Sequence, residues 1–209
     1  MQQLLNKLNS IRPLSPELQL HLKDKIKYKE YPKGSFLLEP GQVCENICFI
    51  QQGLVRVYYE NADIEICPWL LIEGDIAISV VSYFNQVSSF EFIQALEDTI
   101  VYYITYDELE FIYDKFPEFN FVGRKLLQHY YALESKRLFS ILGKSADARY
   151  AYLLEFYAHL ILRIAGKHQA AYLGMDPATF SRIKAKYLRE QKLFFFLVIL
   201  VALLGLTFG

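Results

Sequence analysis

From Tyr58 to Asp114 the sequence contains no lysine and no arginine, while the same stretch carries twelve aspartates and glutamates. The middle of the chain therefore supplies no cation to a bound anion. Cysteine is scarce: Cys44, Cys48 and Cys67 leave one thiol over in any disulfide scheme, and the N-terminal MQQLLNKLNSIRPLSPE lacks the apolar run of a secretory signal. A reducing, cytoplasmic setting is expected. Cys44 and Cys48 stand four apart, but no further Cys or His lies near enough to complete a ligand set. No metal, iron–sulfur cluster or other cofactor is expected, and the thiols read as buried small hydrophobes. His21, His129, His159 and His168 are scattered, with no nucleophile or paired acid at a recognisable spacing, so no enzyme is expected. There is no internal repeat and no low-complexity linker.

What is present is apolar bulk. The 209 residues are 53% hydrophobic and 16% aromatic, with 16 Tyr and 16 Phe and a net charge of −1, which suits one or two folded domains and excludes extensive disorder. The near-neutral total hides an uneven distribution. Between Arg163 and Lys192 seven basic residues face only Asp176 and Glu190, the charge pattern of a phosphate-binding surface. The last 17 residues, from Leu193, carry no charge. That falls short of the ~20 residues of a membrane-spanning helix, so three readings stay open: a short tail anchor giving membrane association, an element packed on the core, or a non-native end.

Leu4, Leu5, Leu8, Leu18, Leu22 and Ile26 fall at helical spacings over residues 1–27, interrupted by Pro13 and Pro16. From Tyr28 the period changes. Short β-rich runs cover Ser35 to Leu38, Ile47 to Ile50, Leu54 to Tyr59, Ile64 to Leu71, Ser89 to Ala95 and Thr99 to Thr105, separated by turn signals such as Pro32-Lys33-Gly34 and Glu73-Gly74-Asp75. Many short strands at this spacing predict an antiparallel sandwich or roll. Thr105-x-x-Glu108 has the form of a capping box that starts a short helix ending near Pro117. A long helix over Glu118 to Leu142 follows, with one apolar stripe through Phe119, Val122, Leu126, Tyr130 and Leu133 and another through Leu127, Tyr131, Leu138 and Ile141. Two stripes need two surfaces: the roll for one, and for the other either a second copy of the helix or more of the same chain. Gly143 to Asp147 reads as a hinge.

The segment Gly166 to Lys186, GKHQAAYLGMDPATFSRIKAK, fits a helix-turn-helix. Ala170 lets two helices approach, Gly174 permits positive φ in the turn, and Leu173, Met175, Phe180 and Ile183 form a shared seam. Asp176 is a plausible N-cap and Pro177 sits where a first helical turn has no hydrogen bond to lose. The second helix would expose Ala178, Thr179, Ser181, Arg182, Ala185 and Lys186. Arg182 is the candidate base reader, because its planar fork matches guanine O6 and N7. Thr179, Ser181, Lys184 and Lys186 suit phosphate contacts.

With these features in place, residues 10–190 resemble the Crp/Fnr family of bacterial transcriptional regulators. The match rests on Pro32-x-Gly34, on Gly41, Gly53 and Gly74, on the IQALED run from Ile93 to Asp98, on the long helix, and above all on YLGMDPATFSRIKAK at Tyr172 to Lys186. The resemblance implies an α+β fold: a cyclic-nucleotide-binding-like antiparallel β-roll with N-terminal helices (1–116), a dimerisation helix (117–143), a winged helix-turn-helix (144–192) and then the apolar tail (193–209). It also places Pro177, Ala178 and Arg182 at the family's base-reading positions, where several members have an acidic residue in place of Ala178. Gln169 stands where an aliphatic seam residue is usual, and the apolar tail replaces the expected two-stranded wing. Relatives that bind cyclic AMP hold its phosphate with an Arg and a small hydroxyl residue. The corresponding segment from Tyr83 to Asp98 offers Ser88 and Ser89 but no cation, and burying a phosphodiester without one is unfavourable. Tight cyclic-nucleotide binding is not expected. The resulting expectation is a homodimeric regulator with double-stranded DNA as partner and RNA polymerase as a further candidate. The competing one is an effector-sensing or membrane-associated module with a degenerate DNA-binding half.

Overall fold

The computed structural model describes residues 1–190 other than Asp63. The apolar segment from Leu193, and with it the expectations of a tail anchor or a replaced wing, lies outside the described residues. The chain forms two compact units that divide between Leu138 and Phe139.

The first unit opens with two helices, α1 (Gln2–Ile11) and α2 (Pro16–Lys25). Ser15 caps α2 by accepting from the Leu18 N–H, and Pro16 occupies the first turn where no donor is missed. Leu5, Leu8, Leu18 and Leu22 are buried. Eight strands follow: β1 (Lys27–Tyr31), β2 (Phe36–Leu38), β3 (Asn46–Gln52), β4 (Val55–Asn61), β5 (Ile64–Leu71), β6 (Ile76–Ala77), β7 (Phe92–Ala95) and β8 (Thr99–Thr105), with a short helix α3 (Val80–Asn85) between β6 and β7. They make two four-stranded sheets, ordered β1-β8-β3-β6 and β2-β7-β4-β5, and every pairing between these strands is antiparallel. Side chains alternate across each strand. Val55, Val57, Ile93, Ile50 and Val101 thus meet in one core between the sheets, as in a β-roll. Gly53 links β3 to β4 at φ +107, and a Cβ there would collide with Thr99; glycine is required for close approach as well as for the turn.

Thr105 caps α4 (Tyr106–Lys115) as its motif predicts, its hydroxyl accepting from the Glu108 N–H. The Glu108 carboxylate takes a different partner, His21 Nε2 at 2.6 Å, so the box is closed on one side only. The long helix α5 runs Pro117–Leu142. Its Phe119 and Val122 are buried on the roll. Tyr130 accepts from the Ile76 N–H at 2.8 Å and Arg137 Nε donates to the Pro68 carbonyl at 3.2 Å, which fastens α5 to β6 and β5. Most of the other stripe is bare: Leu127, Tyr131 and Leu138 are 54, 77 and 52% exposed, while Ile141 is partly buried.

The second unit contains α6 (Ala146–Ile161), capped by Ser145 and broken from helical geometry at Tyr157, then α7 (Gly166–Tyr172), then a helix α8 over residues 177–190. Among the described residues, no helix is long and apolar enough to cross a membrane. All three cysteines are buried and free, and burial pushes the thiols of Cys48 and Cys67 up to about 12.

Candidate nucleic-acid interface

The seam expected from the sequence forms. Ala170, Leu173, Met175, Phe180 and Ile183 are all buried where α7 meets α8. Gly174 adopts φ +60, a left-handed conformation that L side chains disfavour. It ends α7 with the N–H of Gly174 donating to Ala171 and that of Met175 to Ala170, at 3.2 and 3.0 Å. Two residues on, Asp176 accepts from the Thr179 N–H at 2.9 Å. Its hydrogen bonds from Thr179 hold this carboxyl below the usual range, and its charge sits at the positive end of α8.

The proposed contact residues leave the seam for solvent. Pro177, Ala178, Ser181, Arg182 and Lys186 are exposed, and Thr179 and Lys184 are partly so. Arg182 Nη2 donates to Thr179 Oγ1 at 3.0 Å, one turn back along the helix. Lys184 lies near the Phe180 ring, and Lys186 Nζ is bound to Asp147 Oδ1 at 2.6 Å, a bond that raises its pKa. Pairing with Asp147 offsets part of the charge Lys186 would bring to a phosphate.

Two residues that matter to this geometry carry roles the sequence did not reveal. Gln169, only 1% exposed, donates through Nε2 to the carbonyls of Ile161 and Ile164, satisfying the end of α6. Arg149 on α6 donates through Nη1 to the carbonyls of Leu173 and Gly174, at 2.6 and 3.1 Å. Nothing in the local sequence marks Arg149, because its partners lie 24 and 25 residues away.

In the roll, Ser88 forms an isolated β-bridge with Val43. Ser89 Oγ lies 3.0 Å from Ser79 Oγ, and the Ser79 hydroxyl donates to Glu91 Oε2 at 2.5 Å. Hydroxyls and a carboxylate thus bond one another in this segment. Burial and the nearby charge of Glu134 push the Glu91 pKa up, against the Ser79 hydrogen bond. Arg56 follows Val55 on β4 and so projects from the opposite face of the sheet, where it bonds Gln94 and Glu65.

Comparison with known proteins agrees with this architecture. Residues 28–116 match the family described as cyclic nucleotide-binding domain. A CooA mutant from Carboxydothermus hydrogenoformans superposes with a TM-score of 0.65 at 24% identity, over 80% of this chain and 78% of that one. The c-di-GMP responsive global regulator CLP from Xanthomonas campestris gives 0.70 at 12%, over 85% and 93%. TTHA1359, a CRP/FNR family transcriptional regulator from Thermus thermophilus, gives 0.64 at 17%, over 78% and 87%. The chain has the Crp/Fnr fold. No curated protein matches the sequence significantly. Within the Crp/Fnr fold, α5 is the long helix that follows the roll, and α7 and α8 are the helix-turn-helix.

Proposed function

We propose that the chain is a homodimeric, DNA-binding transcription regulator. The observation that carries this reading is α8: Phe180 and Ile183 are buried against the seam, while Ser181 and Arg182 between them are exposed. A helix presented that way can lie in a major groove with its N-terminal residues at base edges. Arg182 would donate to guanine O6 and N7, a pairing worth about 1–3 kcal/mol of discrimination, with Pro177 and Ala178 beside it. Thr179, Ser181, Lys184 and Lys186 would set register on phosphates.

The bare stripe of α5 supports pairing of two copies, since a self-complementary apolar ridge is satisfied by a twofold partner. A dimer would read two half-sites about 34–36 Å apart, hence a near-palindromic operator. RNA polymerase is the further partner such a regulator would engage, and the free thiols suit a cytoplasmic setting. In this reading residues 1–116 form the roll, 117–143 the dimerisation helix and 144–192 the DNA-binding domain. The roll would not bind cyclic AMP tightly, because Ser79, Ser89 and Glu91 bond one another where its phosphate would need a cation.

The test is unbiased selection on random duplex DNA with the wild type and Arg182→Ala. The expected result is salt-sensitive, sequence-selective binding whose preference relaxes in the variant. A dimer without salt-sensitive DNA binding would overturn the proposal.

A further inference from the structure

We propose that the first turn of α6 is the cradle that orients the recognition helix, with Arg149 as its positioning residue. This rests on the DNA-binding reading and extends it to how α8 is aimed. Three residues between 147 and 150 supply the contacts. Ahead of α8, Arg149 Nη1 holds the carbonyls of Leu173 and Gly174 in the turn that follows α7. Along α8, the Tyr150 ring packs edge-on against Phe180 and Tyr187, with centroids 5.7 and 5.1 Å away. Further on, Asp147 takes the Lys186 ammonium on its carboxylate at 2.6 Å and the Tyr187 hydroxyl on its carbonyl at 3.2 Å.

The Arg149 contact differs from an ordinary surface bond. The carbonyls it takes lie in the turn that follows α7, at the helix cap and the residue after it, outside any helical hydrogen-bond ladder. A guanidinium donates to both from one nitrogen, and its Nε lies buried with no hydrogen-bond partner among the described residues. Leaving a buried donor unsatisfied is costly, and it persists here because the group is committed to the turn. The fit is close: a Cβ on Gly174 would approach Nη1 to 3.1 Å. The turn before α8 is thus set by φ +60 at Gly174 and by the cation that meets it.

The test compares wild type, Arg149→Met and Arg149→Lys. Arg149→Met is expected to lower the ratio of selected-sequence to random-duplex affinity roughly tenfold, the scale of one lost base contact. The salt slope on random duplex should stay as in wild type, because the number of phosphates met does not change. Arg149→Lys, which keeps a donor for the carbonyls, should recover part of the ratio. Without DNA, amide exchange at Gly174 and Met175 should quicken in Arg149→Met. Unchanged discrimination together with unchanged exchange would overturn the proposal. So would a loss of selective and random binding in equal proportion, which is what mere partial unfolding gives. A wild type that selects no sequence would instead remove the DNA-binding reading, and the exchange data would still decide whether Arg149 holds the turn.

Discussion

The side-chain nitrogen of Gln169 lies 2.7 Å from the carbonyl oxygen of Ile164 and donates to it, while also reaching the Ile161 carbonyl at 2.9 Å. A polar residue at a seam position looks like a defect in sequence. Here it closes the end of α6, whose last backbone acceptors have no helical donor.

Replacing it should show this. Gln169→Leu restores an apolar seam and removes the orphaned Oε1 of the amide, but strands two carbonyls. The second effect dominates, because losing a buried partner costs about 1–3 kcal/mol per group. Urea unfolding should give a lower midpoint with an unchanged m-value. A midpoint at or above wild type would show that the hydrogen bonds contribute less than the apolar seam does.

Thr179 should act on specificity through Arg182, whose Nη2 it accepts at 3.0 Å. Thr179→Val keeps shape and removes the acceptor, freeing the guanidinium to sample other rotamers. Selection experiments should find the Arg182-dependent base preference blurred, by less than in Arg182→Ala, with the α-helical circular dichroism signal retained.

The bare stripe of α5 gives a direct test of self-association. Leu127→Glu with Tyr131→Glu puts like charges on both helices of a twofold pair, where they face each other across a seam that desolvates them. Sedimentation should show a dimer for wild type and a monomer for the variant. Thermal stability at low protein concentration, where the wild type too is dissociated, should change little, because both residues are more than half exposed.

Glu91 gives a pH signature. Its folded-state pKa is raised, first by burial, so the stability linked to its protonated form is full below the ordinary carboxylate value of about 4.3. That stability is lost as pH rises through the raised value. Asp75, also raised by burial, acts in the same direction. Glu91→Gln should therefore be more stable than wild type at pH 7, with the advantage shrinking toward pH 4. Urea titrations at the two pH values check the sign.

Much of this architecture is legible in the residues alone. Gly174, Ala170 and the spacing of Leu173, Met175, Phe180 and Ile183 announce the turn and seam because local steric demands admit few residue types there. Thr105 announces α4 for the same reason. β1 is not legible because KYKEY carries no apolar alternation, its first four residues being exposed. β6 is two residues long, and its place is set by pairing with Cys48 and Phe49. α3 sits in VVSYFN, where β-branched residues suggest a strand. The pairs His21 with Glu108 and Arg149 with Leu173 join residues 87 and 24 positions apart, and no periodicity encodes such meetings.

The enclosed thiols have a practical consequence. Maleimides react with thiolate, and Cys48 and Cys67, pushed up to about 12 and buried, together with buried Cys44, present almost none at neutral pH. A cysteine introduced at exposed Ser181 would then take a fluorophore or spin label selectively in the otherwise native sequence, giving a reporter on the face of α8 without prior removal of the native sulfurs.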